Sequence, residues 1–240
     1  MKYKYDFHLH SCLSPCGDDD MTPHNLVNMA KILELDVIAL TDHNTVDNCQ
    51  SAIKAGEEAG LVVVPGMELC TAEEIHTICL FPDIASAKAF GEYVHTMLPP
   101  VKNKPGVFGR QIKMDHLGGE IGEEEILLVT ASFLPVTELP GLVEEYGGFC
   151  YPAHVDRSSF SIISVLGMLR ANMGFTCAEL TAGANVAALT ITNPDLASMR
   201  IMRSSDAHYL ENMGEAADTI ELPELSAKAV INALHNTFSK

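Results

Sequence analysis

A chain of 240 residues, 47% of them apolar, can bury the core of one large domain, and an α/β barrel is an ordinary content for that length. Its formal charge of −17 argues against a protein that grips a phosphate backbone with a basic face, so long DNA or RNA is not expected as a partner. No apolar run approaches the ~18 residues of a membrane span. Met1-Lys2 leads straight into a polar, His-bearing run unlike a signal peptide, which sets the expectation of a cytoplasmic protein with no membrane partner. The seven cysteines are an odd number with no CxxC pair and read as reduced thiols, most of them small core residues such as Cys79 and Cys150.

In chain order, short apolar runs alternate with amphipathic stretches. Strands are expected at Tyr3–His8, Asp36–Leu40, Leu61–Pro65, His76–Phe81, Gly148–Pro152, Phe175–Leu180, Ile201–Arg203 and Thr219–Leu222. Thr22-Pro23 predicts an N-cap followed by proline at the first helical position, with Leu26, Val27, Ala30 and Leu33 on one face. Thr45 is expected to cap a second helix with Val46, Cys49, Ala52 and Ile53 inward. Ser226 is expected to cap the last, with Ala229, Val230, Ala233 and Leu234 inward. Such alternation implies a mostly parallel sheet, closed or open. Pro99-Pro100 to Pro105-Gly106 breaks the rhythm, and Val107 to Ile121, centred on Gly118-Gly119, reads as a β-hairpin inserted at roughly 100–121 into a single domain spanning 1–240.

The chemistry-bearing residues gather where these strands end. His8 and His10 are two apart and share a face at the end of the first strand, an efficient start to a divalent-metal site. Asp42-His43 follows Val37–Leu40, and Asp42 is either a helix cap or a residue that orients or contacts a metal. Glu68 follows Val62–Gly66 with two oxygens to bridge a pair of ions. His154 follows Tyr151–Ala153, and Asp206 and His208 follow the run from Ile201, whereas His76 opens a strand of its own. Function in parallel α/β folds sits beyond the C-terminal strand ends, where most of these fall. His24, His95, His116 and His235 fit no such position and read as surface or structural residues.

The set His8-x-His10, Thr41-Asp42-His43-Asn44-Thr45, Pro65-Gly66-Met67-Glu68, His76, Pro152-Ala153-His154 and Ser205-Asp206-Ala207-His208 resembles the PHP (polymerase and histidinol phosphatase) family of metal-dependent phosphoesterases, from residue 3 to about residue 222. The resemblance implies a distorted (β/α)7 TIM-like barrel with two or three divalent ions of zinc, manganese or iron. It implies that His8, His10, Glu68 and Asp206 hold one ion, that Glu68, His76 and His154 hold a second, and that His43 and His208 help hold a third. Asp42 would coordinate or steer a ligand. The family usually carries an Asp or His shortly after HxH as a ligand of the third ion. Here Cys16 stands near that position and Asp18 two residues later. A thiolate there favours zinc or iron over magnesium; the other reading is a reduced cysteine in a turn.

The expected reaction is hydrolysis of a small phosphorylated metabolite or nucleotide by attack of a metal-bound hydroxide in line with the leaving alcohol. Arg157, just past His154, is the expected phosphate clamp, since a guanidinium takes two phosphate oxygens at once. Its other reading is a solvated side chain paired with Asp156. Asp206 or His208 would protonate the leaving group. Two further readings stand beside this one: a metallohydrolase of a C–N bond, and a metal- or phosphometabolite-binding regulator without turnover. Substrate specificity is expected from loops, the Val107–Ile121 hairpin and Ser158–Ser161 among them.

Overall fold

A computed structural model of the chain describes residues 1–236. The chain opens with β1 (Lys2–Leu9) and α1 (Pro23–Ile32). The helix starts where the sequence places it. Thr22 Oγ1 accepts from the Asn25 N–H at 3.2 Å and Pro23 leads the first turn, a cap of about 1 kcal/mol. β2 (Val37–Leu40) is followed by α2 (Cys49–Ala59), which does not begin at Thr45. The residue before it is Asn48, whose side chain donates to Ser11 Oγ and Ile112 O and accepts from Met114 N. Those bonds tie Asn48 to the loop at Ser11 and to the strand at Ile112–Met114, and delay the helix past the expected cap.

The remaining elements are β3 (Val62–Cys70), β4 (His76–Leu80), α3 (Ile84–Thr96), α4 (Pro105–Phe108), β5 (Ile112–Met114), β6 (Glu120–Glu123), α5 (Leu139–Glu145), β7 (Phe149–Pro152), α6 (Ile162–Leu166), β8 (Cys177–Glu179), α7 (Val186–Thr192), β9 (Arg200–Met202), β10 (Asp218–Glu221) and α8 (Ala227–His235). Ser226 caps α8 by accepting from Ala229 N at 3.1 Å.

The architecture is α/β around a curled sheet in the order β10-β1-β2-β3-β4-β7, with β8 and β9 as a separate parallel pair. The sheet is not uniformly parallel. β1, β2 and β3 run together, but β4 is antiparallel to both β3 and β7, and β10 is antiparallel to β1. The cause lies in β3, which continues past the expected end at Pro65. Val62–Pro65 pair with β2, then Gly66–Cys70 turn to pair with β4. Gly66 permits the switch, since a Cβ there would lie 2.6 Å from the Cys79 carbonyl oxygen. Glu68 therefore sits inside a strand. β5 and β6 form a short antiparallel pair, with α4 occupying 105–108 ahead of it.

Alternation divides the core into two layers. Tyr5, Phe7, Val37, Ala39, Val64, Ile78 and Tyr151 pack with Val230 and Leu234 of α8. Ile38, Leu40, Val63, Met67, Leu69 and Cys79 pack with Leu26 and Ala30 of α1, Ala52 of α2 and Phe90 of α3. β1 breaks the alternation. Its register with β2 shifts between Asp6 and Leu9, so Phe7 belongs to the first layer and Leu9 to the second. Such an irregularity re-aims side chains, and His8 and His10 flank the residue it moves. Among the described residues, no helix is long and apolar enough to cross a membrane.

Candidate metal centre

Glu68 is the centre of the site. Its carboxylate is 1% exposed and lies 2.9–3.3 Å from ring nitrogens of five histidines: His8, His10, His43, His76 and His154. Asp206 closes the other side, with Oδ1 3.1 Å from both His8 Nε2 and His10 Nε2. Strand ends bring these residues together. β1 carries His8 and leads to His10, residues after β2 carry His43, β3 and β4 carry Glu68 and His76, the turn after β7 carries His154, and the segment after β9 carries Asp206 and His208. The β2 and β3 pieces are tied by Glu68 N–H to the Thr41 and Asp42 carbonyls and by Asn44 N–H to the Glu68 carbonyl.

Partners behind the cluster set which nitrogen of each ring faces it. Glu179 accepts from His8 Nδ1–H at 2.9 Å, so Nε2 is the His8 nitrogen that faces Glu68 and Asp206 and can coordinate when the ring is neutral. Ser14 Oγ–H donates to Asp42 Oδ1 at 2.7 Å and accepts from His10 Nδ1–H at 2.9 Å and His43 N–H at 3.1 Å. His10 therefore also offers only Nε2. The Asp206 carbonyl can only accept, so His208 donates from Nδ1 at 2.9 Å and keeps its Nε2 lone pair.

The donor set suits divalent ions. Three groups of ligand atoms converge: His8, His10, Glu68 and Asp206; His43, Glu68 and His76; and His10, His43 and His208. His43 Nδ1 and Asp206 Oδ1 are buried without a hydrogen bond, although other polar atoms stand 3.1 Å away. Buried donors and acceptors are normally paired; atoms that converge unpaired are arranged as ligands are. Imidazole with carboxylate fits zinc, manganese or iron.

Of the nine residues expected as ligands, leaving aside Cys16 and Asp18, all but Asp42 lie in this cluster. Asp42 does not, because its oxygens accept from Ser11 N–H, Ser11 Oγ and Ser14 Oγ. It fixes His10 through Ser14. His154 reaches Glu68 at 3.1 Å but joins none of the three groups, and the second group takes His43 where His154 was expected. Cys16 is exposed, stands close to the His43 ring and joins none of the three groups. Asp18 is turned away, with its Oδ1 accepting from Asp20 N–H. Arg157 reaches the site through Nη1, 2.6 Å from Asp206 Oδ2, and is not paired with Asp156, whose carboxylate accepts from Thr181.

Sequence reasoning missed Glu179 and Ser14. Glu179 offers a signal of the same kind as the ligands, an acidic residue closing the apolar run of β8. It is 2% exposed and also accepts from His154 N–H at 3.1 Å. A cavity of about 230 Å3 opens beside the cluster, lined by His154, Arg157, Glu179 and Asp206 together with Thr181 to Gly183. A larger cleft of about 550 Å3 lies past Asn44, lined by Lys88, His95 and Lys113, and holds none of the cluster residues.

The charges in the metal-free cluster are strongly displaced. Burial lowers the pKa of His10, but the Asp206 and Glu68 carboxylates outweigh it and push it up to about 9. His43 is also pushed to about 9, because Glu68 outweighs burial and the charge of His10. His8 is raised as well, by Asp206, Glu179 and Glu68 against burial. Burial and the charge of His10 take His208 down to about 3.

The histidines raised on folding stabilise the metal-free protein fully below the unfolded value near 6.5, and that contribution is lost as pH rises through about 9. His208, being lowered, changes stability only below about 6.5. The chelator-treated protein is therefore expected to melt at a lower Tm at pH 9 than at pH 7. The metal-loaded protein should change little, since cations replace the protons. Melting curves of both forms at both pH values check this, and a metal-free Tm that does not fall counts against protonation of the cluster.

A family model described as PHP domain matches residues 6–159. A 5'-3' exoribonuclease of Haemophilus influenzae is 36% identical over 83 residues, a match covering 33% of this chain and 29% of that relative. Among solved structures, a lesion-specific endonuclease from Pyrococcus furiosus superposes on 100% of this chain and 57% of its own, with a TM-score of 0.74 at 16% identity. An amidohydrolase from Chromobacterium violaceum, solved with sulfate and no metal, superposes on 96% of this chain and 95% of its own, with a TM-score of 0.59 at 17% identity.

Proposed function

The chain belongs to the PHP family, and from that membership we propose that it is a metal-dependent phosphoesterase cleaving the phosphate ester of a small metabolite or nucleotide. The observation that carries the reading is Arg157 at the edge of the cluster, its side chain 44% exposed and its guanidinium held 2.6 Å from Asp206 Oδ2. A cation set beside a buried cluster of carboxylates and imidazoles, half open to solvent, suits an anionic substrate.

His8, His10, Glu68 and Asp206 would hold one ion, and His43, Glu68 and His76, with His154 against the same carboxylate, a second. His208 and His43 face a third position beside Cys16. Ions held there supply Lewis acidity and an activated water. Glu179 and Ser14 keep the His8 and His10 lone pairs on the cluster, and Arg157 turns one guanidinium edge to the incoming phosphate. Asp206 is held well below the carboxylate range: burial opposes ionisation, but the His8 and His10 charges prevail. An ionised carboxylate serves as a ligand and as the anchor of Arg157. Those roles suit it better than protonating a leaving group.

The nuclease names among the relatives bring nucleotides and short nucleic-acid ends into the candidate substrates. The chain's charge of −17 still disfavours a long duplex, which needs a basic track. The site's cationic edge favours phosphate over a neutral amide, so the C–N hydrolase reading ranks second.

The test is phosphate release from a panel of phosphomonoesters and short nucleotides by manganese- or zinc-loaded protein. Release that a chelator abolishes supports the reading. No release from protein shown to bind metal overturns it in favour of a C–N hydrolase or a binding protein. Arg157→Ala is expected to raise KM about tenfold or more with a smaller change in kcat, as loss of a charge-assisted contact predicts. If steady-state kinetics show both constants unchanged, Arg157 is not the clamp.

A further inference from the structure

The segment that carries Arg157 also carries Phe160, and the two side chains meet the cluster at different partners. Arg157 lies on Asp206, whereas the Phe160 ring stacks on His76 with centroids 4.8 Å apart and planes 22° from parallel. Ser161 Oγ–H donates to the Arg157 carbonyl at 2.7 Å, and His76 N–H donates to the Phe160 carbonyl at 2.9 Å, so the segment is pinned at both ends.

Three facts about Phe160 go unexplained by packing. It is 45% exposed, so much of its ring is not in the core. Its φ is +52°, a left-handed conformation that is a genuine outlier for a bulky residue. His76 does not depend on it for orientation, because Glu68 already holds His76 Nδ1 at 2.9 Å. Six non-glycine residues among those described have positive φ. His154, Phe160 and Asp206 belong to the site's own segments, and Asn44 directly follows His43. Strain of this kind gathers where a site needs a side chain in a particular place.

We propose that Phe160 is the stacking platform for the base of a nucleotide whose phosphate lies between Arg157 and the cluster. The proposal rests on the phosphoesterase reading for the position of the phosphate, and it narrows the substrate to a base-bearing phosphate ester. An aromatic face accepts any base, and stacking is sequence-tolerant. The nucleotide can be free or the 5' end of an oligonucleotide; both present the same phosphate and first base.

Binding to metal-loaded protein tests this without relying on turnover. The probes are cleavage-resistant phosphorothioates of adenosine (at the 5' position) and ribose (at the 5 position), with a 5'-thiophosphorylated tetranucleotide as a third, all measured by calorimetry. Wild type is expected to prefer the adenosine compound to the ribose compound by roughly 5- to 150-fold, the range typical of one stacked base. Phe160→Leu, which keeps apolar bulk but loses the π face, should erase that preference and leave ribose binding unchanged. Phe160→Tyr should keep it. Equal metal content in the variants shows that His76 is undisturbed. Tighter binding of the tetranucleotide than of the mononucleotide assigns the base to a chain end; equal binding assigns it to a free nucleotide.

The proposal is overturned if wild type binds the adenosine and ribose compounds equally, if it binds neither, or if Phe160→Leu weakens both alike. A base preference in a protein that releases no phosphate would leave the stacking platform standing and remove only the catalytic reading.

Discussion

Glu68→Gln is expected to abolish turnover while leaving the chain folded. The carboxylate faces five imidazoles and belongs to two of the three groups of candidate ligands. An amide keeps its shape and one oxygen but loses the charge that draws cations into a buried, histidine-lined space. Metal-assisted stabilisation of a phosphoryl transition state amounts to several kcal/mol, so kcat/KM should fall by at least about 10^3-fold. The metal count per chain should fall with it, by elemental analysis.

A second readout separates Glu68 from a merely structural residue. Glu68 is among the causes that raise His8, His10 and His43, so without its charge these histidines shed their protons at lower pH. The metal-free variant should therefore lose the fall in Tm between pH 7 and pH 9 expected of the metal-free wild type. A folded variant with full metal content and normal turnover would remove Glu68 from the centre of the site.

Most candidate ligands of this site are legible in the sequence because apolar runs end beside them. His8, His10, His43, Glu68, His154, Asp206 and His208 each lie at or near the end of an apolar run, and a curled sheet gathers such ends. The supporting residues follow no such pattern. Ser14 acts through a hydrogen bond on each side, to Asp42 and to His10, and only the fold brings Asp42 within reach of residue 14. Glu179 looks like the tail of a core strand until His8 is seen to donate to it. Asp42 illustrates the converse: its motif leaves cap, ligand and ligand support all open, and the serines that take up its oxygens favour support.

The sheet was harder to read than the site. The reversal of β4 depends on Gly66 admitting the Cys79 carbonyl, a contact between residues of different strands. An alternating strand–helix pattern carries no sign of it. The same holds for α2, whose start is delayed by bonds from Asn48 to Ser11, Ile112 and Met114, none of them local. Local chemistry predicted the caps at Thr22 and Ser226 because those bonds close within three residues.

Asp206→Asn is the companion experiment, and it isolates charge from backbone. Asp206 has φ of +52°, which Asn tolerates as well as Asp, so the substitution adds no strain. The carboxylate is 6% exposed, with one oxygen facing His8 and His10 and the other facing Arg157. Losing its charge weakens one metal position and frees the guanidinium together. We expect kcat to fall by about 10^3-fold or more in a chain that still folds, with the metal-free Tm at pH 7 lowered because Asp206 helps hold the charges on His8 and His10.

The pairing with Arg157 makes the two sites non-additive. In wild type, Asp206 holds the guanidinium at the rim of the cluster; in Asp206→Asn that guide is gone. Arg157→Ala should therefore cost less in the Asp206→Asn background than alone, and a double-mutant cycle on kcat/KM reads the coupling directly. Strictly additive losses would mean that the 2.6 Å contact does not position Arg157 for the reaction, and a fully active Asp206→Asn would mean that its charge plays no part in catalysis.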